Sequence, residues 1–393
     1  MGSYLNERQG SLKLLAIVQL TERFRDGIIL PILALFIRGH GLTVSELGLI
    51  GMAGMLGWFI FEPLAGVVAD WVRKKYLLIF AVLISSFIYT AYPLAVNFWH
   101  FSLLAFAMSF VMSSYAVAVK ALAADLLPSS WRGKTYGRYV SAVSIGGIVG
   151  LFLGGYLTEA LGRSIPFYIS SGVGVIGLAA ALLMRYDERE MKEKPVPKDS
   201  GGRKGLWTMP FVVILVIRML YHFNPVFQEQ ILPVFLHENP RLKASETQIG
   251  LYLGMMQFTS VISKAFLGDL TDRVGGRRII ASSLLLSGIS YLGLLKISGA
   301  LPLLFLGALQ GVIFAAADLS MMIHLMDIMP RDRTGMVMGL YSESENVGGM
   351  IASPSLGIIY DAVGPAFSVI SVSAVLIVNG FLPLILIREK RGS

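Results

Sequence analysis

Four ionisable side chains crowd five consecutive positions of an otherwise apolar stretch, Glu22-Arg23-Phe24-Arg25-Asp26. At about 100° per helical residue, with Glu22 at zero, Arg23 lies near +100°, Asp26 near +40° and Arg25 near −60°. All four share one half of the helix, and Phe24 points away. Glu22 is also spaced to reach Arg25 and Asp26. Ionisable groups at membrane depth cost on the order of several kcal/mol unless paired or wetted, so this face is a candidate lining for a central cavity. A self-neutralised cluster that only holds helices together is the other reading.

A later stretch carries Arg218, Tyr221, His222 and Glu229, which a regular helix places within about 100° of one another. Arg218 and Glu229 are about 16 Å apart along the axis and mark different depths. His222 can titrate near neutral pH or serve as a hydrogen-bonded fixture, and no metal-ligand spacing surrounds it. Asp318 falls at mid-depth of a further stretch, with His324 and Asp327 deeper. Glu343 and Glu345 follow, about 200° apart, so one at most faces a cavity. Burial drives a carboxyl toward its neutral form and a neighbouring Arg or Lys drives it toward the charged one. Exchange of a proton for a partner's charge is the basis of proton coupling. Glu22, Asp26, Asp318 and Glu343 are the candidate proton carriers, and Lys120 either faces substrate or offsets Asp125.

The elements that must hold these residues are membrane helices. Of 393 residues, 55% are hydrophobic and 15% charged, against about 25% charged in an ordinary soluble domain, and the mean hydropathy is +0.68. About twelve apolar stretches, each near twenty residues, can be marked out, which is the length of a span. This composition excludes a soluble enzyme, a disordered chain and a disulfide scaffold. With no cysteine, thiol catalysis and Cys-ligated metals are excluded as well. No metal or other cofactor is expected. The net charge of +8 is a matter of placement and not a nucleic-acid signal. Of 33 Lys and Arg, 23 fall in the segments on the N-terminal side of the membrane, five on the other side and five within spans. The positive-inside rule then sets both termini in the cytoplasm of a multi-pass protein of the cell (plasma or inner) membrane. No signal peptide is expected, and Asn6 breaks the myristoylation pattern.

The spans fall into two sixes, giving an N-terminal bundle over 1–184, a charged, Pro- and Gly-bearing cytoplasmic linker over 185–206, and a C-terminal bundle over 207–393. A shift of 202 superposes them without a gap. Ile29-Leu30-Pro31 falls on Ile231-Leu232-Pro233, Gly66 and Asp70 on Gly268 and Asp272, Asp125 and Pro128 on Asp327 and Pro330, and Gly146-Gly147 on Gly348-Gly349. Asp318 has no acidic mate, because Ala116 occupies that place. Six helices per half is an even number, so the repeat is parallel, the layout of transporters that rock two bundles about a central site. The expected fold is therefore an all-α polytopic membrane protein of 12 transmembrane helices in two six-helix bundles.

Gly268-Asp269-Leu270-Thr271-Asp272-Arg273-Val274-Gly275-Gly276-Arg277-Arg278 resembles the signature of the major facilitator superfamily, which lies in the cytoplasmic loop after the second helix of each half. Gly66, Asp70, Arg73, Lys74 and Lys75 form its other copy, in which Trp71 replaces the usual Arg and Arg73 the Gly. The resemblance implies alternating access, with Gly66, Asp70, Arg73, Gly268, Asp272, Arg273 and Arg277 latching the cytoplasmic side when the carrier faces outward. Glycines would let the helices approach closely, and each Asp would sit at a neighbouring helix N-terminus. Glu62 and Lys264, each four residues before a latch glycine, would form an ion pair between the halves. Gly146, Gly150, Gly154 and Gly155 resemble the glycine-rich fifth helix of drug/proton antiporters, with Leu151 where the Pro should be, and equally describe tight helix packing.

The expected function is secondary active transport of a small polar, amphipathic or charged organic solute, proton-coupled and outward in direction, by a chain sufficient as a monomer. The partners are that solute, protons and the lipid bilayer, and no nucleic acid. The alternatives are an importer or facilitator of a sugar or organic anion, bound by Arg23, Arg25 and Arg218; an intramembrane enzyme acting on lipid, for which no nucleophile constellation is present; and a receptor.

Overall fold

The computed structural model describes residues 2–126, 134–186, 207–329 and 334–386. Among them the chain forms twelve long helices and no strand. The first six are α1 (Gly2–Arg38), α2 (Val44–Trp71), α3 (Lys74–Ala91), α4 (Phe98–Leu126), α5 (Lys134–Leu161) and α6 (Ile165–Leu183). The second six are α7 (Met209–Glu238), α8 (Glu246–Val274), α9 (Gly276–Gly293), α10 (Ala300–Ile328), α11 (Thr334–Ala362) and α12 (Pro365–Leu386). Eight of the twelve have by themselves the length and apolarity to cross a membrane. The other four are α1, α8, α9 and α11. They fall short because they carry the charges singled out above, Glu22 to Asp26 on α1, Lys264 to Arg273 on α8, Arg277 and Arg278 on α9, and Glu343 and Glu345 on α11.

Helix boundaries repeat with the 202-residue offset. Thr43 and Glu46 make reciprocal bonds at the start of α2, Thr43 N–H to Glu46 Oε2 at 2.7 Å and Glu46 N–H to Thr43 Oγ1 at 3.1 Å. Ser245 and Gln248 make the same capping box on α8. Gly162 and Gly364, at φ +94° and +127°, turn α5 into α6 and α11 into α12 in a region closed to most side chains.

The described helices divide into two compact units. One holds α1 up to residue 36, α2 from 53 onward, and α3 to α6; the other holds residues 37–52 and α7 to α12. Inside the first, α1 crosses α5 with backbones in contact. A Cβ at Gly150 would strike the Phe24 carbonyl, and one at Gly154 the Ile28 carbonyl. The antiporter-like glycines thus form a tight crossing. Gly348 of α11 serves α7 in the same way against the Met219 carbonyl. Leu15, Val18, Leu78, Val82, Leu122 and Ala181 close an apolar core among α1, α3, α4 and α6.

α7 departs from its mate α1. It breaks at His222 and contains a π turn over Phe227–Ile231, whereas α1 is one continuous helix. Pro225 and Pro233 lack the N–H groups that regular turns need, and only the second has a proline mate, Pro31.

Candidate functional site

α7 presents Arg218, Tyr221 and His222 at spacings of three and four residues, on the side that meets α10 and α11. Arg218 is clamped between two carboxylates. Its Nη1 lies 3.0 Å from Asp318 Oδ1 of α10, and its Nε and Nη2 lie 2.7 and 2.6 Å from Glu345 Oε1 of α11. Lys264 of α8 reaches the other oxygen of Asp318 at 3.1 Å. His222 Nδ1 stands 3.9 Å from Glu345 Oε2. The guanidinium lies over the Tyr341 ring at 4.9 Å and the Tyr221 ring at 5.5 Å. Tyr221 itself is buried and donates to the Phe314 carbonyl at 3.4 Å. Side-chain exposure rises from 12% at Arg218 through 26% at Glu345 and 32% at Asp318 to 44% at Lys264, so the accessible end of the cluster is Asp318 with Lys264.

Two expectations change here. Only one of the two α11 acids joins the cluster, as their angular separation requires, but it is Glu345; Glu343, chosen as a carrier, accepts from Asn346 Nδ2 at 3.2 Å instead. Glu229 falls inside the π turn and is exposed, because the wider turn invalidates a 100° count carried from Arg218. Tyr341 is a member that the charge search missed. The 202-residue offset gives it a mate, Tyr139, which is the signal in the sequence that could have found it.

The α1 charges do not form one lining face. Arg25 and Glu22 pair with each other at 0% and 1% exposure. Arg25 also donates to Ser86 Oγ at 3.0 Å and lies over the Tyr89 ring at 4.9 Å, both on α3. Gly174 of α6 supplies the room, since a Cβ there would fall 2.9 Å from Arg25 Cζ. Asp26 accepts from Tyr89 OH at 2.9 Å, and Arg23 alone of the four is exposed. The self-neutralised reading therefore describes Glu22 and Arg25. The structure also brings out their repeat mates, Asn224 and Gln228 for Glu22 and Asp26, and Tyr291 for Tyr89. Tyr291 bonds to Asn224, and Gln228 Nε2 donates to Tyr291 OH at 2.7 Å. The same α-helix crossing is thus built with charges in one half and with neutral amides in the other.

Glu62 lies 3.7 Å from Lys120 and Lys264 pairs with Asp318, each within its own unit, where the sequence reading paired Glu62 with Lys264. Lys120 does not offset Asp125, which is held by Lys74 at 2.6 Å and Tyr186 OH at 2.5 Å. Of the latch residues, the side chains of Asp70 and Asp272 lie outside the described residues. A Cβ at Gly66 or Gly268 would meet nothing within 4 Å, so neither glycine marks a close crossing in this conformation. Arg73 and Arg273 are exposed, and Arg277 donates to the Leu384 carbonyl of α12.

Twelve helices in a parallel repeat, with buried charge balanced inside each unit, define a multi-pass membrane protein of the carrier type. The family model described as Major Facilitator Superfamily matches residues 15–236 and again 207–393. The chain belongs to the major facilitator superfamily and is a transporter rather than an enzyme. It is 22% identical over 353 residues to the quinolone resistance protein NorA of Staphylococcus aureus strain Mu50, covering 88% of this chain and 89% of NorA. It is 25% identical over 371 residues to the MFS-type transporter MJ1560 of Methanocaldococcus jannaschii, covering 89% and 91%. Among solved structures, the nucleoside transporter NupG shares the fold with a TM-score of 0.81 at 12% identity, over 97% of this chain and 100% of that one. A bacterial homologue of the human lysosomal transporter Spinster, inward-facing and occupied, matches at 0.75 and 14% identity over 95% and 96%.

Proposed function

We propose that this transporter exports a small amphipathic, zwitterionic or cationic organic solute in exchange for protons, by alternating access, with coupling at Asp318 and Glu345. The observation that carries the reading is the clamp of Arg218 between those two acids. It has no counterpart in the first half, where Ala16, Ala116 and Val143 stand at the three positions. Scaffold symmetry therefore does not account for it.

Two cations face two carboxylates in the cluster. A proton arriving on Asp318 removes the charge that Lys264 and Arg218 share and loosens the tie between α8, α7 and α10. A cationic or hydrogen-bond-donating group of the cargo competes for the same carboxylate. Proton and cargo then exclude each other at one place, which is what exchange requires. Similarity to NorA, whose name records quinolone resistance, supports export of a drug-like solute. The anion-import alternative is weakened because Arg25 and Arg218 already face carboxylates. The same reading places both termini in the cytoplasm, makes 1–184 and 207–393 the moving bundles about the 185–206 linker, assigns the cytoplasmic latch to the two signature segments, and takes one chain as the working unit.

Proteoliposomes holding a pH dye under an imposed gradient test this. A panel of lipophilic cations, zwitterions, sugars and organic anions is added one compound at a time. Discharge of the gradient by a cation or zwitterion only when protein is present is the expected result. Tracer exchange of a sugar or organic anion without proton movement would replace the reading with a facilitator.

A further inference from the structure

The two acids of the clamp hold Arg218 differently. Glu345 Oε1 accepts from both Nε and Nη2 of Arg218, at 2.7 and 2.6 Å. Asp318 is divided, with one oxygen on Arg218 Nη1 at 3.0 Å and the other on Lys264 Nζ at 3.1 Å. Arg218 is the least exposed of the four side chains and Lys264 the most, at 12% and 44%. A proton on Asp318 therefore releases a cation that water can solvate, and Arg218 keeps its doubly bonded partner. A proton on Glu345 would leave the buried guanidinium with a single bond to an acid that it shares with Lys264. Stripping a buried charge of its partner is far more costly than exposing a wetted one.

Among the described residues, the other ionisable groups facing the cluster are Tyr221 and His222 of α7 and Tyr341 of α11. His222 stands 3.9 Å from the second oxygen of Glu345, beyond hydrogen-bond reach. α12 also packs on α7 and carries no ionisable side chain. The cluster thus balances two cations against two carboxylates. One proton on Asp318 gives it one surplus positive charge, and one singly charged cation held by Asp318 gives the same surplus. Protons on both acids would leave Arg218 and Lys264 with no carboxylate at all. We infer that Glu345 is a positioning residue that stays ionised through the cycle and fixes Arg218 against Asp318, so that one proton, carried by Asp318 alone, is exchanged for each cargo molecule. This rests on the proposed exchange at the cluster and divides its two acids into a carrier and a fixed counter-ion. Export of a singly charged cation is then electroneutral. Export of a zwitterion with no net charge moves one positive charge inward.

Infrared difference spectra of the purified protein between acid and neutral pH read the acids without any cargo. The C=O band of a protonated carboxyl should be lost in Asp318→Asn and kept in Glu345→Gln. In Glu345→Gln, Asp318 faces two cations with no second acid beside it, so the band should appear about one pH unit lower than in the parent. Glu345→Gln combined with Lys264→Gln restores the charge balance around Asp318 and should return the midpoint toward the parent. A role in folding alone would not be reversed by removing a second charge. A band abolished by Glu345→Gln overturns the inference, as does the absence of any band that Asp318→Asn removes, or a double variant that titrates like the single one. Proteoliposomes with the potential set by potassium and valinomycin give a second measurement. Protein-dependent accumulation of a singly charged cation from the panel should follow the pH gradient alone, and that of a zwitterion should respond to the potential as well. A singly charged cation whose accumulation follows the potential overturns the one-proton exchange. If no panel compound moves protons, the exchange reading falls, and the spectra still decide which acid takes up the proton.

Discussion

The charged clusters of α1 and α7 belong to equivalent helices, yet they point to different neighbours. Arg25 turns toward α3 and α6, where Ser86, Tyr89 and the gap at Gly174 receive it. Arg218 turns toward α10 and α11, where Asp318 and Glu345 receive it. The first cluster is sealed, at 1% exposure or less for its ion pair. The second is graded from a closed end to an accessible one. The difference teaches that charge in a membrane helix marks something important without saying what; the partner helices say whether it joins the scaffold or stays available to solutes. The amide version of the α1 crossing, Asn224, Gln228 and Tyr291, shows that this junction requires hydrogen bonds and not charge.

That contrast can be tested by removing each cluster in turn. The largest effect is expected from Arg25→Ala, which leaves Glu22 buried and uncompensated and costs about 3–5 kcal/mol, read as a fall in the melting temperature of the purified protein. The triple variant Glu22→Asn, Arg25→Phe, Asp26→Gln installs the residues of the second half, so most of that stability and proton-driven transport should return. A triple variant that folds but transports nothing would make the α1 charges functional. Next, Gly154→Val forces a side chain into the Ile28 backbone and should cost about 1–3 kcal/mol, measured in the same melt, with no change in the cargo preference of what remains folded. The smallest stability changes are expected at the exposed cations. Lys120→Gln and Lys264→Gln should each cost no more than about 1 kcal/mol. Lys264→Gln alone should impair proton-driven transport, and equal transport by the two variants would remove Lys264 from the site.

Much of this was legible in the residues. The twelve spans, the parallel repeat and the resemblance to the family followed from composition and from one constant offset, because spacing along a helix is a local property. Arg218 and Asp318 could be singled out because each is an ion in an apolar run. The direction of Arg25 could not be read, since it depends on a glycine about 150 positions later that meets it only in the folded unit. The role of Glu345 over Glu343 turned on the rotation of α11 about its axis, which a two-residue separation leaves open. Glu229 was misplaced because the 100° count assumes regular turns past Pro225, which lacks the N–H such a turn needs, and the π turn that follows changes the angular count. The neutral mates of Glu22 and Asp26 were within reach of the same offset that revealed the repeat; a search for charges passes over amides.

The central claim is that Asp318 couples protons to cargo, and Asp318→Asn tests it most directly. The amide keeps the size and one acceptor oxygen, enough for Arg218 or Lys264 but not for both, and cannot take up a proton. In proteoliposomes, cargo should still bind, more weakly, through the remaining amide oxygen and Glu345, while cargo-induced discharge of an imposed pH gradient disappears. Discharge at the parent rate by this variant would contradict the account and return the search to the remaining acids.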